Sequence, residues 1–230
     1  MSFPKLYRAL AHADALCFFD VEASQYRMEL LSLGMVLVKK ERHTLSLSSD
    51  GIQKLYFVLK PEHKVRIGKK VEEITKLSQD DLECGIERET AEEKIRFLLS
   101  PYERVAFVSY GEMDRAVFRK SLFPDRDPAL FDRIRFFDFH DYLSKNLVRK
   151  KGGSFSLACL MEIFSLPDNS VQFHNPLDDS ICLYKIFAYY VSHQEEIRMM
   201  VRENCKVNPK LRSCLSYPET DLQKGIFKNL

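Results

Sequence analysis

Three short stretches place acids where they could hold a divalent cation. The first is CFFDVEAS, Cys17 to Ser24, in which an apolar run ends in Asp20 and Glu22. Residues two apart on a strand face the same side, so the two carboxylates point together. Carboxylates at close range raise each other's pKa unless a cation lies between them. Hard ions such as Mg2+ and Mn2+ take carboxylate oxygens. A strand end with solvated acids is the competing reading, because Asp-x-Glu arises by composition about once in a chain this long.

The second stretch is VSYGEMD, Val108 to Asp114. An apolar strand stops at Gly111, and Asp114 follows at a helix start. Alone, Asp114 reads equally as a helix cap or dipole partner. The third is FHNPLDDS, Phe173 to Ser180. His174 sits in a loop, and Asp178 and Asp179 open an apolar helix carrying Ile181, Leu183, Ile186 and Phe187. Either aspartate could cap that helix, and His174 alone could be a surface histidine.

The elements that must position these groups follow from hydrophobic pattern. Ala15 to Glu22 reads as a central strand, with Glu29 to Lys39 and Lys54 to Lys60 as antiparallel neighbours. Arg104 to Tyr110 and Ile134 to Phe139 read as further strands. Helices are predicted from Thr90, where Thr90 to Glu93 fits a capping box, and over 114–122, 154–164 and 178–193. Three strands followed by alternating helix and strand predict an α/β domain. Residues 1–195 would form it, and 196–230 a helical C-terminal appendage and tail.

The 230 residues carry a formal net charge of +2 and are 45% hydrophobic. That composition supports a packed core and argues against a long duplex-wrapping surface. None of the six cysteines forms a Cys-x-x-Cys pair, so reduced, non-ligating thiols in a cytoplasmic protein are expected. The N-terminus lacks the apolar core and cleavage site of a signal peptide. No apolar run approaches the roughly 20 residues of a membrane span.

In this order, Asp-x-Glu, Gly-x-x-Asp and His-x-x-x-x-Asp resemble the DEDDh 3′–5′ exonucleases of the DnaQ-like, ribonuclease-T superfamily. Ninety-four positions separate Asp20 from Asp114, and 60 separate Asp114 from His174, spacings close to that family's. ITKLSQDDL, FFDFHDYL and SLACLMEIFSLP also look like its connecting segments, so the resemblance covers roughly residues 15–192. It implies a ribonuclease-H-like fold with a central mixed sheet flanked by helices. It implies two bound Mg2+ or Mn2+ ions held by Asp20, Glu22, Asp114 and Asp179, with His174 as general base. The five-residue step from His174 selects Asp179 as the ligand and leaves Asp178 as the cap.

The implied substrate is the 3′ end of single-stranded nucleic acid. The threonine-rich stretch that follows the first motif in many relatives is Ala23-Ser24-Gln25-Tyr26 here, so Ala23, Ser24 and Tyr26 are candidate substrate contacts. Lys150 and Lys151, followed by two glycines, are candidate backbone contacts. Arg115, Arg119, Lys120, Lys145 and Arg149 could also meet phosphates, or form solvated helix faces. The Ser-x-Gly-x-x-Asp form of the second motif is closest to the histone-mRNA exonuclease and KapD-like branch, which leans toward RNA over DNA. Alternatives are a proofreading or trimming subunit that works only with a polymerase or RNA-processing partner, a homodimer, or a non-catalytic binding module on the same fold.

Overall fold

The computed structural model describes residues 3–24, 28–41, 43–48, 50–63, 67–123, 127–147, 155–166 and 171–207. Candidate contacts Tyr26, Lys150 and Lys151 lie outside those residues, as does Arg149. Helix α1 (Phe3–Leu10) precedes strands β1 (Ala15–Ala23), β2 (Leu30–Lys39) and β3 (Gln53–Val58). Helices α2 (Lys69–Thr75), α3 (Gln79–Glu83) and α4 (Arg88–Leu99) lead to β4 (Val105–Ser109) and α5 (Glu112–Ser121). Then come α6 (Pro128–Phe131), β5 (Ile134–Asp138), α7 (Phe139–Leu147), α8 (Leu157–Ile163), α9 (Pro176–Ser192) and α10 (Gln194–Val207).

The five strands form one mixed sheet in the order β3-β2-β1-β4-β5. β1 and β2 are antiparallel, as are β2 and β3, while β4 and β5 run parallel to β1. β1 is therefore the central strand, as its apolar run predicts. Alternation along it divides the core. Leu16 and Phe18 face a cluster with Leu183, Ile186 and Phe187 of α9. Cys17 and Phe19 face one with Ile95 of α4 and Phe118 of α5. A strand covered on both sides reads as a continuous apolar run rather than an alternating one, which is why β1 and β4 are plain in the sequence.

Several local expectations are corrected. The capping box is not at Thr90: α4 starts at Arg88, with Glu89 in its first turn, where an acid suits the helix dipole. The reciprocal box instead opens α3, where Ser78 accepts from Asp81 N–H and Asp81 accepts from Ser78 N–H. Nor does Asp178 cap α9. Pro176 occupies the first helical position, where its missing N–H costs nothing, and Asn175 caps by accepting from Leu177 and Asp178 N–H. Asp178 accepts from Gln172 N–H at 2.9 Å and ties down the incoming loop. Of the cysteines, Cys17 and Cys182 are buried, but Cys84 is exposed.

Helix α10 packs its Ile197 and Val201 into the main core cluster. Among the described residues, no helix is long and apolar enough to cross a membrane.

One contact sets the height of α9 over the sheet. Gly34 of β2 pairs with Asp20 of β1. A Cβ there would lie 2.2 Å from Leu177 N and from the Pro176 carbonyl carbon and oxygen, so the helix start rests directly on strand backbone. The Ser180 hydroxyl donates within the same junction, 2.7 Å from Pro176 O and 3.0 Å from Gly34 O. Gly34→Ala is expected to destabilise the chain by about 3 kcal/mol, the upper end of overpacking costs, because backbone must move. A urea midpoint unchanged from wild type would disprove it.

Candidate active site

The site lies in a notch. β1 is paired to β4 only as far as Phe18 opposite Val108, and it runs on to Ala23 with β2 alone beside it. Asp20 and Glu22 sit on this overhang, on the face covered by α9, as their two-residue spacing requires. Crevices beyond the carboxyl ends of strands, where the connections diverge, are where sheets of this kind hold ligands.

Asp114 arrives from the other side of the sheet, in the first turn of α5. That helix packs Val117 and Phe118 on the opposite face. The Asp114 carboxylate accepts from the Tyr110 N–H, which lowers its pKa, but burial and Asp138 outweigh this and push it up to about 7. Asp179 comes from the first turn of α9 and is 8% exposed. It is the one buried acid of the four, since Asp20, Glu22 and Asp114 are half-buried.

His174 is exposed and adopts a left-handed backbone with φ 68°. Its N–H donates to Asp179 Oδ2 at 2.9 Å. One carboxylate oxygen of Asp179 is thus committed to holding the histidine in a conformation that residues other than glycine seldom adopt. The other oxygen remains for a ligand. Among the described residues, Glu22, His174 and Asp179 form one group whose ligand atoms all lie within 4.8 Å of one another.

The electrostatics mark these acids as unneutralised. Burial and the charges of Asp114, Asp179 and Glu22 hold the Asp20 carboxyl well above the usual carboxylate range. Burial, then Asp179 and Asp114, push Glu22 up to about 7. Asp179 is pushed up to about 6 by burial, against the lowering effect of His174. Buried like charges favour the protonated form, and a cation among them would reverse the shift. The donor set is all carboxylate oxygen plus one imidazole. It fits hard divalent ions such as Mg2+ or Mn2+.

The structure therefore brings Asp20, Glu22, Asp114, Asp179 and His174 to one notch. The remaining candidates lie elsewhere or are otherwise engaged. Ser24 is buried and closes the β1–β2 turn, accepting from Glu29 N–H through its hydroxyl at 3.1 Å and donating its own N–H to Glu29 O. Ala23 packs at the edge of the α4–α5 cluster. Arg115 and Arg119 lie over the rings of Phe136 and Phe131, and Lys145 pairs with Asp141 at 2.7 Å.

Two residues were not singled out by sequence reasoning. Asp138, at the end of β5, raises the pKa of Asp114. It has the same signal as Asp20, an acid closing an apolar strand. Gly34 was the other, and a glycine inside an apolar strand is itself a sign of close backbone approach.

No protein-family model matches the chain, and no curated protein matches it. Solved structures do. The nuclease domain of 3′hExo, a DEDDh family member bound to rAMP, has a TM-score of 0.59 and 16% identity over 82% of this chain and 96% of that one. Cell-death related nuclease 4 (CRN-4) has a TM-score of 0.56 and 14% identity over 78% and 64%. E. coli exonuclease I in complex with a dA16 oligonucleotide has a TM-score of 0.56 and 13% identity over 88% and 45%. The chain spans 61% of a full-length 3′-exonuclease and under half of exonuclease I. At these identities the likeness is one of fold. With its β3-β2-β1-β4-β5 mixed sheet between helices, the chain has the ribonuclease-H-like fold of these exonucleases.

Proposed function

We propose that the chain is a metal-dependent 3′–5′ exonuclease acting on single-stranded nucleic acid. The observation that carries this reading is the convergence of Asp20, Glu22, Asp114 and Asp179 on one notch, where desolvation and repulsion from neighbouring acids raise all four carboxyls, beside a histidine held by one of them. Asp20 is raised by burial and by all three other acids, so it is the residue that would be shared by both ions. Glu22 and Asp179 would complete one shell, and Asp114 would serve the other. Two divalent ions held there would activate a water and stabilise the leaving oxygen of an in-line displacement.

The chain's own residues do the rest. His174 accepts the proton of the attacking water at an imidazole nitrogen, a task suited to a side chain that ordinarily titrates near neutral pH. Asp179 Oδ2 fixes the backbone of that histidine, so one residue orients both the base and the ligand shell. The exposure of His174 leaves its ring open to substrate. The Ser109-Tyr110-Gly111 lead into Asp114 favours RNA. Solved neighbours include a 3′-exonuclease recognising a histone mRNA stem-loop as well as the oligonucleotide complex of exonuclease I.

The test uses 5′-labelled RNA and DNA of one sequence with Mg2+, Mn2+ or chelator. A ladder shortening from the 3′ end, absent with chelator, is expected, with RNA cut faster. Folded chain that binds Mn2+ yet shortens neither strand would overturn independent activity and favour the partner-dependent subunit.

A further inference from the structure

The end of the sheet away from the carboxylates carries a cleft of opposite charge. It opens where β1, β4 and β5 begin, roughly 15 Å from the notch along the five residues of β4. The cavity is about 420 Å³, and Arg104, Arg133 and Arg135 line it together with His12, Ala13 and Asp132. Asp132 is the one acid among its lining residues.

These cations are set differently from four arginines elsewhere among the described residues. Arg88 and Arg96 each pair with carboxylates, and Arg115 and Arg119 lie over aromatic rings. Among the described residues, none of Arg104, Arg133 and Arg135 makes an ion pair. Arg133 is also fixed in place. Its Nη2 donates to Leu99 O at 3.0 Å and to Tyr102 O. A guanidinium has five N–H donors, so part of that fork remains to face a ligand. Arg135 projects from edge strand β5 beside Ala106 of β4, and Arg104 enters β4 through its N–H to Asp14 Oδ2 at 3.1 Å. A chain with a net charge of only +2 has thus gathered three guanidiniums around one cavity. With Asp132 as the one acid beside them, the three leave an excess of positive charge that a bound anion would offset.

We propose that this cleft binds a phosphate-bearing ligand. Planar guanidinium forks match phosphate oxygens two at a time, which makes arginine the residue suited to this task. A cavity of this size accepts a phosphate with its sugar. The phosphate can come from a free mononucleotide or from the backbone of a single strand. The proposal does not depend on the carboxylate site.

The experiment keeps chelator present throughout, so that the carboxylate notch recruits no phosphate through metal. Adenosine 5′-monophosphate is titrated by calorimetry, and a labelled single-stranded oligonucleotide by anisotropy. The proteins are wild type, the exposed pair Arg104→Ala with Arg135→Ala, the single variant Arg135→Glu on the edge strand, and Arg202→Ala on α10 as control. Arg133 is spared because it holds two backbone carbonyls. Binding is expected to weaken at least tenfold, about 1.4 kcal/mol, in both cleft variants and not in the control. Loss of monophosphate binding identifies a free nucleotide as the source. Loss of oligonucleotide binding alone identifies a strand, with the salt slope of log Kd falling by roughly 1.4 for two lost cations. Binding equal in wild type and cleft variants, or no binding of either ligand at millimolar concentration, overturns the proposal.

Discussion

Asp20→Asn is expected to reduce turnover by roughly a thousandfold or more, on the scale of losing one preorganised charge-stabilising group from an active site. Asparagine keeps the shape of the side chain and removes the charge. At most positions so small a change would be tolerated. Here the residue stands among three other acids, each of which raises its pKa, so it holds the centre of the anionic cluster. An amide is a poor ligand for a hard ion beside true carboxylates. The same substitution should raise the metal-free melting temperature at pH 8, because a carboxyl that the fold holds well above its usual range costs stability at that pH. Gain of stability with loss of turnover is a joint signature that misfolding cannot mimic. Near-normal turnover in the variant would remove Asp20 from the chemistry.

The second large effect is on pH and metal together. Glu22, Asp114 and Asp179 sit at about 7, about 7 and about 6 in the folded chain, against ordinary values of 4.5, 3.8 and 3.8. Between about pH 4 and 7 the folded chain therefore holds protons that the unfolded chain has released. Stability is lost as pH rises through that window. The acids are partly solvated, so the total is of the order of 3 kcal/mol. Without metal, the melting temperature should fall from pH 5 to pH 8. Mn2+ at a hundred times its Kd contributes about 2.7 kcal/mol, or roughly 5–10 °C for a chain this long. It should do so at pH 8 and much less at pH 5, where the acids are protonated. A metal-free melting temperature that rises over this range, or one indifferent to Mn2+ at pH 8, would show that the acids are neither buried together nor a metal site.

The strands and the acids were legible for the same reason. A strand buried on both faces shows as an unbroken apolar run, and an acid at its end stands out against it. Asp20 and Glu22 carry that signature, Asp114 follows an apolar strand at the start of the next helix, and their order and spacing carry the expected fold. Short elements were less legible. Helix α1 buries Leu6 and Leu10 through one turn of spacing, too brief a pattern to separate from a coil. Sequence alone misplaces the cap of α9 because three polar residues, Asn175, Asp178 and Asp179, compete over five positions. Only the fixed φ of Pro176 decides where the helix begins. The role of Gly34 was hidden for another reason. It depends on register, on Gly34 standing opposite Asp20 and beneath Pro176, and register between distant segments is not written in either segment alone.

That contact has a consequence for tolerance. Where two elements meet through side chains, their separation changes whenever a side chain changes. At Gly34 they meet backbone to backbone, and backbone is the same whatever the sequence. The spacing between the acids of β1 and the acid of α9 is thus gauged by a part that substitution elsewhere cannot resize. The hydrophobic layer between α9 and the sheet is free to drift in composition, losing and regaining stability, while the distance between those acids is kept.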